Sequence, residues 1–107
     1  MNRFPVTKFV KTNTIQQQMP VIAGELKEVY DEFMAPTVNY HKVAIELLDL
    51  IQAAETGLEI LKEQRGVDLN QAEEDMLQKN EERGYYEKQS PWLEGLNLQL
   101  STGGSLA

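Results

Sequence analysis

Apolar residues recur at helical spacing through most of the chain, and the pattern divides into three segments. In the first segment they stand three or four apart along one helical face, at Ile22, Leu26, Val29 and Phe33. Thr14 is placed to cap this helix and predicts a start at Ile15, whereas Pro20 offers an alternative start because proline favours the first turn. A start at Ile15 would leave Pro20 inside the helix as a kink, and Pro36 ends the helix in either case.

The second segment predicts a helix over residues 38–64 or 38–65. Thr37 is its expected cap, and Gly66 is suited to end it because glycine adopts left-handed dihedrals without strain. A glycine inside the helix, Gly57, costs about 1 kcal/mol relative to alanine. It indicates either close packing against another helix or a bend.

Within this second helix, the stretch from Val43 to Ala54 is apolar on almost every side. A helix that is apolar all round is usually buried, so we expect this stretch to lie in the core. Two acids interrupt it, Glu46 and Asp49, and their spacing of three places both on one face. A buried carboxylate pair without a cation is costly, so a lysine, an arginine or a metal ion is expected to meet them.

The third segment is strongly polar and predicts a helix over 69–83. Asp68 or Asn70 is expected to cap this helix, and Gly84 is expected to end it.

Three helices predict an all-α fold, and a length of 107 residues suits a single domain. Residues 1–13 carry β-favouring side chains without a pairing strand, so they are expected to form an arm that packs on the body or on a neighbouring subunit. Residues 14–86 are the helical core of this prediction. Residues 87–107 are expected to form a tail that docks as far as Leu100 and is disordered beyond it.

The chain is acidic, with 10 lysines and arginines against 17 aspartates and glutamates and a net charge of −7. This balance argues against nucleic acid polymers and anionic membranes as partners. The chain has no cysteine, which excludes disulfides and thiolate metal sites, and its single histidine, His41, is expected in a capping or surface role. No apolar run suits a signal peptide or a membrane span, so a cytoplasmic protein is the expectation.

Two pairs of carboxylates carry the candidate chemistry. Glu25 and Glu28 lie three residues apart at the edge of the first helix's apolar face. Glu46 and Asp49 repeat that spacing in the second helix. A chain reversal at Pro36 would fold the two helices back antiparallel and let all four acids converge on one point. Hard oxygen ligands without cysteine or a histidine cluster suit Mg²⁺ or Mn²⁺ better than Zn²⁺.

These acids resemble the motif of the MazG-like all-α nucleoside triphosphate pyrophosphohydrolases, a family related to the dimeric dUTPases. That family carries Glu-Glu-x-x-Glu, a spacer and Glu-x-x-Asp. Here the two motifs read GELKE at 24–28 and ELLD at 46–49, with seventeen residues between them. The ending KNEERGY at 79–85 is also similar to small members of the family, and the resemblance covers residues 14–86. Gly24 departs from the pattern, since the family has a glutamate there.

The resemblance implies Mg²⁺-dependent hydrolysis of a nucleoside triphosphate to the monophosphate and pyrophosphate, with a role in cleansing the nucleotide pool. It implies a helical bundle of the same type, completed by oligomerisation as a homodimer or homotetramer. Both the metal ligands and the catalytic carboxylates of the family map onto Glu25, Glu28, Glu46 and Asp49. The nucleobase and the sugar are left open.

Basic and aromatic side chains are candidates for holding the rest of a nucleotide. Lys79 and Arg83 stand four apart on one face of the third helix, and Lys42 lies one turn before Glu46, so these three cations are candidates for binding phosphate. Their alternative role is that of helix-end cations or salt-bridge partners. The aromatic residues available for the base, each of which also suits packing, are Tyr40, Tyr85, Tyr86 and Trp92.

The alternative function is a non-enzymatic helical scaffold or regulatory interaction protein. Under this alternative, Glu46 and Asp49 pair with a lysine or arginine, for example Lys42 or Lys27, and leave no open coordination position. A thermal melt with and without Mg²⁺ or Mn²⁺ separates the two functions, because only a carboxylate metal site should gain several degrees.

Overall fold

The structure is a computed structural model that describes residues 3–87, and the chain forms four helices within this range. They are α1 Phe9–Thr12, α2 Ile15–Phe33, α3 Tyr40–Arg65 and α4 Leu69–Glu82. No strand occurs within residues 3–87, so the prediction of an all-α fold is confirmed. The chain divides after Leu69 into two compact units. None of the four helices has the length and apolar composition that crossing a membrane requires.

The start of α2 is fixed by a reciprocal cap. The Thr14 hydroxyl accepts a hydrogen bond from the Gln17 backbone N–H at 3.2 Å, and the Gln17 side chain accepts one from the Thr14 N–H at 2.9 Å. The predicted start at Ile15 is confirmed, and the alternative start at Pro20 is wrong because the helix runs through the proline. Pro20 deprives only the Gln16 carbonyl of its helical partner, and Gln16 lies exposed in the first turn, where water can replace that bond.

The start of α3 differs from the prediction by two residues. The Asn39 side-chain oxygen accepts a hydrogen bond from the Lys42 N–H at 3.2 Å, so Asn39 caps the helix and Tyr40 begins it. The predicted cap, Thr37, lies outside, because asparagine is an equally good cap and stands closer to the apolar pattern. Of the two predicted ends, Gln64 and Arg65, the helix ends at Arg65, and Gly66 follows in the left-handed conformation at φ 67°.

The fourth helix begins at the predicted Leu69 but ends at Glu82, one residue before the predicted end. Asn70 lies inside the helix and therefore is not its cap, whereas Asp68 directly precedes it. Gly84 follows with φ 74°, a conformation that a side chain would disfavour. The predicted tail over 87–107, with its Trp92, lies outside the described residues from position 88 onward.

The N-terminal segment 3–13, which we call the strap, packs on α3. The predicted arm therefore packs on the body, but it includes one turn of helix, α1, rather than extended chain throughout. The backbone N–H groups of Arg3 and Phe4 donate to the Glu55 carboxylate at 2.7 and 3.2 Å. A hydrogen bond of 2.8 Å joins the hydroxyls of Thr7 and Thr56.

Side-chain amides bind the end of the strap to both long helices. Gln64 donates to the carbonyls of Val10 and Asn13 at 3.3 and 2.9 Å. Asn13 in turn donates to the Gln18 side chain at 2.9 Å, and Gln18 donates to the Ala53 carbonyl at 3.0 Å. Gln18 is 2% exposed, so this chain of bonds satisfies a buried amide and holds strap, α2 and α3 together.

The core of the first unit is thin. Its buried apolar residues among those described are Val10, Ala53, Ile60 and Leu69, and of these only Ile60 is completely inaccessible to solvent. The expectation that the stretch 43–54 is buried is wrong for this chain taken alone, since Ile45, Leu47 and Leu48 are 41 to 45% exposed. The reason is that α3 packs against α2 on one side and α1 on another, which leaves further apolar positions uncovered.

Gly57 marks a close approach of α2 and α3, as one of the two sequence interpretations proposed. A Cβ atom built on Gly57 would lie 3.3 Å from the Ile22 Cδ1 atom, whereas one built on Gly24 in α2 would meet nothing within 4 Å. Both glycines lower helix propensity by a similar amount.

We therefore expect Gly24→Ala to raise the free energy of unfolding by about 0.5 to 1 kcal/mol. We expect Gly57→Ala to gain less than this, because Ile22 must shift, and Gly57→Val to lose about 1 to 3 kcal/mol through overpacking. Urea unfolding of the three variants measures the three changes in the free energy of unfolding. Equal gains from alanine at both positions would contradict close packing at Gly57.

Candidate metal centre

Three carboxylates from α2 and α3 come together in the first unit. One oxygen each of Glu25, Glu28 and Glu46 lies within 4.8 Å of the other two. Glu25 and Glu46 are half-buried, whereas Glu28 is exposed. We call these three residues the carboxylate trio. The structure therefore unites three of the four acids that the sequence pattern singles out.

The turn between α2 and α3 brings these acids together. Residues 34–39, which include the predicted helix break, reverse the chain. Gln18 near the start of α2 then bonds to Ala53, and a carboxylate oxygen of Glu28, farther along α2, lies within 4.8 Å of one of Glu46, earlier in α3. The helices thus run antiparallel, as predicted, and each carboxylate pair faces the other.

Burial is the main cause that raises the pKa of Glu25 above its ordinary value of 4.5. A hydrogen bond with Glu28 and the nearby charges of Glu28, Asp49 and Glu46 raise it further. One Glu25 oxygen, Oε2, is buried and has no hydrogen-bond partner among residues 3–87. A carboxylate oxygen in this position is stabilised by a proton or by a metal ion.

The pKa of Glu46 is raised for similar reasons. Desolvation is again the largest cause, and the charges of Glu28 and Asp49 follow. A hydrogen bond with Glu28 and the charge of Glu32, one turn farther along α2, add to the effect. The trio therefore favours added positive charge, and its hard carboxylate oxygens fit Mg²⁺ or Mn²⁺.

Asp49 lies beside the trio rather than in it. Its charge raises the pKa of both Glu25 and Glu46, yet its side chain is exposed. The role of Asp49 as a fourth metal ligand therefore stays a prediction.

If the carboxylates had only a structural role, lysine or arginine side chains should form salt bridges with them. The two lysines suggested for this role, Lys27 and Lys42, do not do so in the structure. Lys27 bonds to Asp31 at 2.6 Å, and this contact is the main cause that raises the Lys27 pKa, with the Glu28 charge a smaller one. Lys42 is exposed on the first turn of α3. Among residues 3–87 no lysine or arginine forms a salt bridge with the trio or with Asp49.

A cleft of about 220 Å³ adjoins the carboxylates, between the strap, α2 and α3. Glu25 and Asp49 line it, and the residues that complete its wall include Phe9, Gln18, Gln52 and Thr56. Sequence reasoning missed these four residues as functional candidates. No periodic pattern points to them, because Phe9 and Gln52 become neighbours of one cleft only when the strap packs across α3.

The aromatic residues predicted for base binding lie elsewhere. Tyr40 is 70% exposed at the start of α3, and His41 beside it is exposed as expected. Tyr85 is 64% exposed, with the Arg83 guanidinium 5.8 Å from its ring centre. Tyr86 directs its hydroxyl to the Met76 sulfur at 4.0 Å. Trp92 lies outside the described residues.

The predicted phosphate ligands of the third predicted helix belong to the second unit. Lys79 and Arg83 are both exposed, Lys79 in the last turn of α4 and Arg83 just after it. Their role in binding phosphate, like that of Lys42, stays a prediction.

We compared the chain with protein-family models, with curated proteins and with solved structures, and none of the three comparisons gave a match. The function is therefore inferred from the carboxylates and their surroundings, together with the motif that they resemble.

Proposed function

We propose that this protein is a metal-dependent nucleoside triphosphate pyrophosphohydrolase of the MazG-like type. The observation that carries the proposal is the meeting of Glu25, Glu28 and Glu46 from two antiparallel helices. Among residues 3–87 these carboxylates have no salt bridge to a cationic side chain, and one buried oxygen has no hydrogen-bond partner, so they form a donor set suited to Mg²⁺ or Mn²⁺. The Glu-x-x-Glu and Glu-x-x-Asp spacing supports the same class of enzyme.

A bound divalent cation supplies neutralising charge and Lewis acidity at the phosphate oxygens. In this proposal the trio holds the cation, and Asp49 beside it orients the attacking water and accepts its proton. Attack on the α-phosphorus breaks the bond to the bridging oxygen, so pyrophosphate leaves and the monophosphate remains. Lys42, on the first turn of α3, is the candidate of the first unit for holding the phosphate tail, and phosphate binding by Lys79 and Arg83 stays a prediction from the sequence.

The test is pyrophosphate release from a panel of canonical and modified nucleoside triphosphates, with Mg²⁺ or Mn²⁺ and with a chelator as the control. We expect release that requires the metal and that differs among the bases. Absence of release from every nucleotide, by a folded protein that the metals also fail to stabilise, would reject the proposal. The chain would then be the helical scaffold or regulatory protein of the alternative hypothesis.

The proposal includes a homodimer or homotetramer, which the exposed apolar surface supports. Leu26, Tyr30 and Phe33 form a stripe along α2 and are 46 to 61% exposed. Leu47 and Leu58 lie three turns apart on one flank of α3 and are 45 and 36% exposed. A helical layer from a second subunit would cover such stripes and complete a bundle.

We expect Tyr30→Glu and Leu47→Glu to weaken subunit association roughly 100-fold, because each buries an unpaired charge in the interface. Sedimentation equilibrium of the wild type and the variants measures this effect. Gln16→Glu, at an exposed polar position of α2, is the matched control and should leave association unchanged. A wild-type protein that stays monomeric at all concentrations would refute the oligomer.

A further inference from the structure

The cleft beside the carboxylates is also lined by residues that are not candidate metal ligands, among them Phe9, Gln18, Gln52 and Thr56. Its volume of about 220 Å³ lies below the range of roughly 300 to 1,000 Å³ that is usual for pockets enclosing a whole drug-sized ligand. The cleft suits a ligand that places one ring system inside it and extends its remaining atoms outward. Since Glu25 and Asp49 line the same cleft, a ligand ring in it would lie within reach of the carboxylates that hold the metal in the proposed function.

The polar side chains of this wall differ in whether their hydrogen-bonding groups are already engaged by other residues. Gln18 uses its amide for bonds to Asn13 and Ala53, and the Thr56 hydroxyl is bonded to that of Thr7. Gln52 is half-buried in the wall, and its amide forms no hydrogen bond with any residue from 3 to 87. A glutamine amide offers two donors and one acceptor that lie in one plane, which matches the edge of a heterocyclic base.

Phe9 supplies the apolar part of the same wall. It belongs to α1 in the strap, it lines the cleft, and it remains 46% exposed. The Lys8 ammonium lies 5.5 Å from the centre of its ring, a solvent-exposed contact that a flexible lysine gives up easily. An exposed aromatic ring that lines the same cleft as Gln52 provides a stacking surface in a cleft that also presents a hydrogen-bonding edge.

We propose that Phe9 and Gln52 form the subsite that selects the nucleobase, with Phe9 stacking on the ring and Gln52 bonding to its edge. This inference rests on the proposed function, because it takes the ligand to be a nucleotide. It assigns base selection to residues of the strap and α3 instead of the tyrosines and the tryptophan that composition suggests. The hydrogen bonds of the strap to Glu55, Thr56 and Gln64 then hold Phe9 in place.

The test uses the four ribonucleosides uridine, cytidine, adenosine and guanosine as probes, without phosphate and without metal. Full-length protein labelled with ¹⁵N is titrated with each nucleoside at millimolar concentrations, and chemical shifts of backbone amides and glutamine side-chain amides are recorded. We expect at least one nucleoside to shift the signals of Phe9 and the Gln52 side chain most strongly. We also expect a difference in affinity among the bases.

Two variants and two controls separate the roles. Phe9→Leu keeps an apolar side chain but removes the aromatic face, and we expect roughly 5- to 150-fold weaker binding. Phe9→Tyr keeps that face and should bind like the wild type. Gln52→Leu should weaken binding roughly 2- to 12-fold and reduce the difference among bases. Gln16→Leu, which makes the same change at an exposed site on α2, should have no effect.

The outcomes distinguish this inference from the proposed function. Nucleoside shifts that are absent, that map away from the cleft, or that persist unchanged in Phe9→Leu and Gln52→Leu would overturn the subsite. Mn²⁺ broadening of signals near Glu25, Glu28 and Glu46, measured on the same samples, reports the metal centre separately. Metal binding and pyrophosphate release without base-dependent shifts would leave the enzyme in place and remove only the subsite.

Discussion

Replacing Glu46 with glutamine is expected to reduce metal-dependent pyrophosphate release by at least about 100-fold in kcat/KM. The substitution keeps the size of the side chain and removes one anionic ligand from the trio. Loss of a residue that only supports a metal ligand already costs about 10- to 100-fold, so loss of a ligand itself should cost more. Excess Mg²⁺ or Mn²⁺ should recover part of the activity, because the defect lies in metal affinity.

The matched control is Glu63→Gln, which removes one carboxylate from an exposed position on the same helix. It changes the net charge by the same amount as Glu46→Gln. An equal decrease in rate in both variants would therefore be an effect of the net charge of the protein and not of a lost metal ligand. We expect the Glu63 variant to retain the wild-type rate. Full activity in Glu46→Gln would contradict the assignment of the metal to the trio.

Glu25→Gln is expected to change stability in opposite directions with and without metal. Without metal, the raised pKa values of Glu25 and Glu46 mean that the folded protein holds more protons than the unfolded chain at mildly acidic pH. Their contribution to stability is complete below the ordinary carboxyl pKa of 4.5 and is lost as pH rises through the raised values. Glutamine carries no charge at position 25, so the variant should melt a few degrees above the wild type at neutral pH.

With metal, the wild type should melt at a higher temperature than Glu25→Gln, which reverses the order expected without metal. A ligand at 100 times its Kd stabilises the folded state by about 2.7 kcal/mol. For a domain near 100 residues this corresponds to a rise in Tm of roughly 10 to 20 °C. We expect this rise with Mn²⁺ or Mg²⁺ in the wild type and only a small part of it in Glu25→Gln.

Differential scanning calorimetry at several pH values, with a chelator or with metal, measures both effects. Glu63→Gln again serves as the control, and its melting temperature should follow that of the wild type in every condition. A wild-type protein whose stability stays constant from pH 4.5 to neutral pH, with no gain from metal, would show that the trio is neither strained nor a metal centre.

The difference between Asn39 and Thr37 shows where local prediction reaches its limit. Both residues can cap a helix, and the choice between them changes the start of α3 by two residues. At Thr14 a capping box with Gln17 decides between the two predicted starts of α2 in favour of Ile15, and Gly66 follows α3 in the left-handed conformation, as predicted.

The carboxylate trio was predictable in part. Spacing of three residues places each acid pair on one helical face, and the reversal between α2 and α3 brings the faces together. Residues three apart are also separated by about 60° around the helix, so the rotation of each helix about its axis decides which oxygens meet. That rotation depends on packing, including the contact of Ile22 with Gly57, and it leaves Asp49 outside the trio.

By itself, the sequence determined the all-α class, the positions of the main helices and the pairing of carboxylates, because these follow from periodicity, caps and turns within a few residues. Only the tertiary structure decided what surrounds the trio. The strap reaches α3 through bonds between residues about fifty positions apart, such as Arg3 with Glu55. This packing makes Phe9 and Gln52 walls of one cleft beside Glu25, since side chains far apart in sequence become neighbours only when helices pack.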